Sequence, residues 1–242
     1  MLAVLLAAST LFSTLFGGLF AIKNQDRLHR LLGFAAGAIL GLVAFDLLPE
    51  IFELVEELGS QAVWPMLALV GGFLLFHIIE KSILIHHSQE GEYEVHKHPQ
   101  VGMASAIALM GHSFLDGVAI GLAFQVDQSI GIAVAVAVIA HDFTDGINTA
   151  SLMLVNKNTP KRTVGFLLMD AAAPILGAAS TLLFHVSDFG LLIYLGFFAG
   201  SLLYIGASEI LPEAHSKHSS YGTIALTLVG VLAMFLIVQT IE

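Results

Sequence analysis

No cysteine occurs in this chain of 242 residues. That absence removes disulfide bonds, thiolate metal sites and cysteine nucleophiles together, and it leaves the redox compartment open. Charge is scarce as well. Asp, Glu, Lys and Arg make up 12% of the residues, against roughly 25% in soluble domains. The basic residues are the scarcer sign, nine Lys plus Arg against 19 Asp plus Glu, for a formal net charge of −10. Such a chain has no electrostatic footprint for nucleic acid. No Lys or Arg precedes Lys23, so the apolar stretch 1–22 lacks the positive start of a secretory signal peptide and reads as a first membrane span. Neither G-x-S-x-G nor H-E-x-x-H occurs, which removes the usual nucleophile elbow and the usual helical zinc-hydrolase motif.

What remains is apolar: 57% of the residues, with a mean hydropathy of +0.87. Apolar stretches recur at about 1–22, 31–52, 63–85, 101–124, 129–154, 163–185, 189–211 and 221–241. Each is long enough to cross the hydrocarbon core, which takes about 20 helical residues. Backbone groups in lipid must be satisfied within the segment, which makes these helices; the short alternating segments of a barrel are missing. The expected fold is an all-α integral membrane protein of eight transmembrane helices, one domain over 1–242. Lys23, Arg27 and Arg30 fall between spans one and two, and Lys81 and Lys97 at or beyond the end of span three. Lys157, Lys161 and Arg162 fall between spans five and six, and Lys217 between seven and eight. All nine cations therefore share one side, while Glu50, Glu53, Glu56, Glu57, Asp127 and Asp188 occupy the other. The positive-inside rule makes the cation side cytoplasmic and puts both termini outside.

Two internal repeats organise the spans. Gly33–Glu50 (GFAAGAILGLVAFDLLPE) aligns without a gap on Gly196–Glu213 (GFFAGSLLYIGASEILPE), with nine of 18 positions identical and Asp46 opposite Glu209. The two segments cross in opposite directions. A second pair sets His112-Ser-Phe-Leu-Asp116-Gly117 against His141-Asp-Phe-Thr-Asp145-Gly146, again on antiparallel spans. The layout is three helices, a central pair and three inverted helices (3+2+3), the arrangement that places a transporter's substrate near the bilayer midplane.

In each central helix a His and an Asp stand four residues apart, on one helical face. Side by side, His112, Asp116, His141 and Asp145 offer two nitrogens and two oxygens, a set suited to zinc and, with added ligands, to iron or manganese. Ionisable residues at mid-span cost about 2.5–3.5 kcal/mol each on insertion scales, and a divalent cation is a reason to keep them. The bland alternative is a His–Asp hydrogen-bond network that holds helices together. Gly117 and Gly146 let the two backbones approach. Asn148 is a candidate oxygen ligand, and Ser113 and Asp142 lie on the neighbouring face.

HSFLDG and HDFTDG, with the LLPE of span two and the ILPE of span seven, resemble the paired signatures of the ZIP family of divalent metal transporters, over the whole chain. The resemblance implies Zn2+ (or iron, manganese or cadmium) as transported substrate rather than cofactor, carried to the cytoplasm. It implies an elevator-type mechanism in which spans one, four, five and six slide against two, three, seven and eight, commonly within a homodimer. By position it makes His112, Asp116, His141 and Asp145 the primary ligands, with Ser113 and Asp142 beside a secondary site. Many relatives carry Asn and Glu where this chain has Ser113 and Asp116. Relatives with a binuclear site carry a Glu just before the proline of span six. Here Ala173 precedes Pro174, and Asp170, one turn earlier, is the candidate substitute.

Other polar residues extend this reading along a metal pathway. Asp46 and Glu209 lie near the two mouths, His77 and Glu80 near the end of span three, and His215 and His218 after span seven. Segment 86–99, with His86, His87, His96 and His98, reads as a cytoplasmic His-rich loop that binds metal weakly. The rival function is a membrane-embedded metallohydrolase using the same cluster with Asp142 as base. The expected partners are a divalent metal ion and the lipid bilayer, and the expected location is a prokaryotic plasma membrane, multi-pass.

Overall fold

The computed structural model describes residues 2–88, 99–126, 128–216 and 220–241. Among them every regular element is helical. Helix α1 is Leu2–Lys23. After a 3-10 turn, α2 runs Leu28–Leu42, widens into a π turn at Val43–Leu47 and continues as Leu48–Glu57. Next come α3 Val63–Ser88, α4 Pro99–Val126, α5 Gln128–Val155 and α6 Pro160–Ser180. Helix α7 runs Asp188–Leu203, passes through a second π turn at Tyr204–Ile210 and ends as Leu211–Ala214. Helix α8 is Tyr221–Ile241. Six of these are long and apolar enough to cross a membrane, and Val63–Ile79 is a shorter apolar stretch. Helix α5 is 28 residues long and carries His141, Asp142 and Asp145 near its middle.

Local chemistry sets the ends. Thr159 caps α6 by accepting from the Arg162 N–H, with Pro160 in the first turn, where its missing N–H is not needed. Gly59 closes α2 at φ 56°, a left-handed position that suits glycine. Helix α3 runs through Ser88, past the sequence expectation of 85, because no proline or glycine interrupts Phe73–Ser88. His86 and His87 thus lie on the helix and not in a loop. His96, Lys97, His98, Asp127, Lys217 and His218 lie outside the described residues, as does the side chain of Glu80. Helix α6 stops at Ser180, short of 185, because Phe184 is extended. The π turns fall just before Pro49 and Pro212. Proline has no N–H to offer the carbonyl a turn back, and the freed carbonyl lets the helix widen.

The helices pack as two groups. Helix α1 lies along α5 and α6, and α4 along α5 and α6; α2 lies along α8, and α3 along α7. Contacts between {α1, α4, α5, α6} and {α2, α3, α7, α8} are sparser, chiefly α2 with α5 and α7 with α4. The joints come in matched pairs. A Cβ on Gly17 would meet the Phe143 carbonyl, and one on Gly177 that of Phe114; Gly146 is pressed on Thr14 and Gly117 on Pro174. In the other group Gly37 meets Thr227 as Gly200 meets Leu69, and Gly230 meets Phe34 as Gly72 meets Phe197. Phe114 and Phe143 differ by 29 positions and Phe34 and Phe197 by 163, the offsets of the two sequence repeats. Large apolar side chains such as Phe12, Phe16, Leu67 and Leu228 point outward, as they do on a lipid-facing surface.

Candidate metal centre

One residue separates α4 from α5. His112 lies 14 residues before Val126 and His141 13 after Gln128, so antiparallel packing brings both imidazoles to the same level, near mid-helix. The i, i+4 spacing then brings each Asp beneath its His. Gly117 and Gly146 stand next to the two Asp residues, and each presses directly on the backbone of a neighbouring helix, α6 and α1 respectively. A side chain at either position would push the ligand helix outward. The positions of the four side chains thus follow from three local facts: spacing, antiparallel order and glycine beside each Asp.

The four side chains converge. His112, Asp116, His141 and Asp145 are at most 1% exposed, and one ligand atom from each lies within 4.8 Å of the others. His112 Nε2 is 3.3 Å from Asp116 Oδ2 and 3.7 Å from Asp145 Oδ2. His141 Nε2 is 3.2 Å from Asp116 Oδ1 and 3.6 Å from Asp145 Oδ2. Zinc bonds of 2.0–2.1 Å in a tetrahedron put the ligand atoms about 3.3–3.4 Å apart, and these nitrogen–oxygen separations bracket that value. Hydrogen bonding accounts for part of the arrangement only, through His141 Nε2 and Asp116 Oδ1 at 3.2 Å. Neither His112 nitrogen, nor Asp116 Oδ2, nor either Asp145 oxygen makes a hydrogen bond among the described residues. Two carboxylates held this way in a dry interior are costly unless a cation neutralises them.

The flanking residues divide. Asp142 stands at the edge, its Oδ1 3.9 Å from His141 Nε2 and its Oδ2 accepting from the Thr14 hydroxyl at 3.3 Å. Ser113 turns away from the four-residue cluster and donates to Asp170 at 2.7 Å, while Thr149 donates to the other Asp170 oxygen at 2.6 Å. Asp170 therefore ties α4, α5 and α6 together. Asn148 is fully buried, and neither its amide nitrogen nor its oxygen has a hydrogen-bond partner among the described residues.

The residues expected along a metal pathway lie elsewhere. Asp46 and Glu209 both fall on the π turns. Glu209 and Glu213 line a cavity of about 510 Å³ between α3, α4, α5 and α7, which also meets Ser105, Asn156 and Tyr204 and reaches Gly111, the residue before His112. His77 is exposed and sets its ring edge-on to Tyr204, 5.6 Å between centroids. His215 donates from Nδ1 to the Leu211 carbonyl of its own helix at 3.0 Å.

Four residues near the centre escape sequence reading: Thr14, Thr149, Tyr194 and Phe198. The Phe198 ring stacks on His112 at 5.2 Å and 10°, and Tyr194 stacks on Phe198 at 6.0 Å and 10°. The Tyr194 hydroxyl donates to the Leu115 carbonyl. No spacing rule separates Phe198 from the other phenylalanines among the 17 of this chain.

A family profile described as ZIP Zinc transporter matches residues 1–105 and 85–238. The chain is similar to the zinc transporter ZupT of Streptococcus mutans serotype c, 28% identical over 98% of this chain and 97% of the relative. Its similarity to the zinc transporter ZupT of Oceanobacillus iheyensis is 31% over 93% and 94%, and to that of Corynebacterium glutamicum 30% over 95% and 97%.

Proposed function

The chain belongs to the ZIP zinc transporter family, and from that membership we propose that it carries zinc, with iron, manganese or cadmium as further cargo, across a prokaryotic plasma membrane to the cytoplasm. Metal-ion transport and a multi-pass membrane location come with the family. The observation that carries the finer reading is the convergence of His112, Asp116, His141 and Asp145 at tetrahedral spacing. A hydrated ion sheds water, and the site offers two neutral imidazoles and two carboxylates in its place. Binding competes with protons, because every ligand must be deprotonated. Asp142 and Asn148 are the nearest candidates for added oxygen ligands.

Eight crossings in a 3+2+3 inverted arrangement, both termini outside, fit the cation distribution and the paired glycine joints. The sparse seam between the two helix groups supports movement of {α1, α4, α5, α6} against {α2, α3, α7, α8}, in the manner of an elevator. In this state the cavity between Gly111 and the end of α7 is the release route toward the cation side. The assembly is a homodimer, as the family resemblance implies. A hydrolase would keep one coordination position for water with a base beside it; no observation favours that reading over transport.

The test is zinc uptake into liposomes with a trapped fluorescent indicator, parent against the His112→Ala, His141→Ala double variant. Uptake by the parent and none by the variant supports the assignment. Equal flux in both would reduce the His–Asp pairs to structural glue.

A further inference from the structure

A metal-binding imidazole is ordinarily held by a hydrogen bond from its other ring nitrogen to a carboxylate, carbonyl or water, which fixes the plane of the ring. His141 turns Nε2 into the cluster, 3.2 Å from Asp116 Oδ1 in hydrogen-bond alignment. His112 has no hydrogen bond at either nitrogen among the described residues. Its plane is set by packing. Phe198 is 2% exposed, lies parallel to the imidazole within 10°, and has Tyr194 parallel to it in turn. A centroid separation of 5.2 Å between parallel rings is the offset geometry that aromatic quadrupoles favour. The stack is anchored to α4 at two points, His112 itself and the Leu115 carbonyl that accepts from Tyr194. Both aromatic residues sit on α7, whereas His112 sits on α4. The stack therefore crosses the seam between the two helix groups.

We propose that Phe198 is a positioning residue for the metal centre, contributed by the opposite helix group, which holds the His112 imidazole in its binding plane so that the strength of metal binding depends on how α7 is seated against α4. The inference rests on the reading of the four-residue cluster as the metal centre. The repeat makes the device one-sided: at an offset of 163, Ala35 on α2 stands where Phe198 stands on α7. Only one of the paired histidines can be held by a ring from these two matched segments.

Cobalt(II) alone serves as the probe, because its visible absorption reports ligand geometry at a site built for zinc. Purified parent, Phe198→Leu, Phe198→Tyr and the His112→Ala, His141→Ala double variant are titrated in detergent. Leucine fills much of the space but cannot stack; tyrosine keeps the stack. We expect Phe198→Leu to bind about tenfold or more weakly with a changed band shape, and Phe198→Tyr to match the parent in both. A Phe198→Leu titration and spectrum identical to the parent's would overturn the positioning role while leaving the metal centre intact. Loss of binding in Phe198→Tyr as well would also overturn it, by reducing Phe198 to packing. Should Phe198→Leu not fold, Phe198→Met takes its place under the same criteria. A parent that binds no cobalt, or binds as the double variant does, would remove the metal centre and the proposal with it.

Discussion

The two helix groups differ in what they bury. The group α1, α4, α5 and α6 encloses His112, Asp116, His141, Asp142, Asp145, Asn148 and Asp170, with a row of hydroxyls from Thr10 to Thr163. Among the described residues of α2, α3, α7 and α8, the buried polar side chains are Ser201 and Thr223. That second group supplies most of the large apolar cluster, including Leu32, Ile39, Leu42, Ile51, Leu192, Leu202 and Ile205. Yet both groups use the same joints, glycine pressed on a neighbour's backbone at matched positions. Packing geometry was duplicated, and polarity was not. The difference teaches that shape alone does not set the two groups apart; the buried donors and acceptors do.

The comparison is broken most severely at the ligands. In His112→Ala, His141→Ala we expect zinc uptake to fall at least about a hundredfold, beyond the 10–100-fold typical of losing a single supporting contact, measured as initial flux into liposomes. The next largest effect is at the joint beside a ligand. Gly146→Val drives a side chain into the Thr14 backbone; overpacking of this kind costs about 1–3 kcal/mol or more. A thermal-stability assay in detergent should show a lower midpoint together with lost uptake. Asp170→Asn keeps the shape but loses the charge that two hydroxyls address. An effect of about tenfold on metal affinity, with the fold intact by gel filtration, would sharpen the view that polarity around the site tunes it. Acidifying the outer solution should reduce uptake in the parent, since protons compete for all four ligands; flux independent of pH would contradict imidazole ligation. The smallest effect is expected in the apolar group, where Thr223→Val should change stability by about 1 kcal/mol or less and leave uptake within twofold. A large loss of uptake there would show that the apolar group also does chemistry.

Much of this was legible before any coordinates. The convergence of His112, Asp116, His141 and Asp145 follows from His and Asp at i, i+4 in two matched segments, because helical spacing is a strict geometric rule and mid-span carboxylates are rare. The helices follow from apolar run length. What was hidden depends on contacts between helices. Asp170 reads as a stray ligand in sequence, and only the approach of α4 and α5 shows it to be the acceptor of Ser113 and Thr149. Phe198 looks like one more apolar residue of α7 until the seam places it flat on His112. The π turns around Asp46 and Glu209 are changes in backbone register, with no marker beyond the prolines that follow. The end of α3 was missed because its histidines suggested a loop, while nothing in Phe73–Ser88 breaks a helix.

The matched glycine joints have a practical use. Gly17 against Phe143 and Gly177 against Phe114 are one joint cast twice in a single chain. Any substitution at one member comes with an internal control: the same substitution at its twin, in the same molecule, the same detergent and the same bilayer. Where the twins respond alike, the cost is mechanical. Where they diverge, the excess belongs to what surrounds one twin and not the other, and subtracting one from the other isolates it without reference to any second protein.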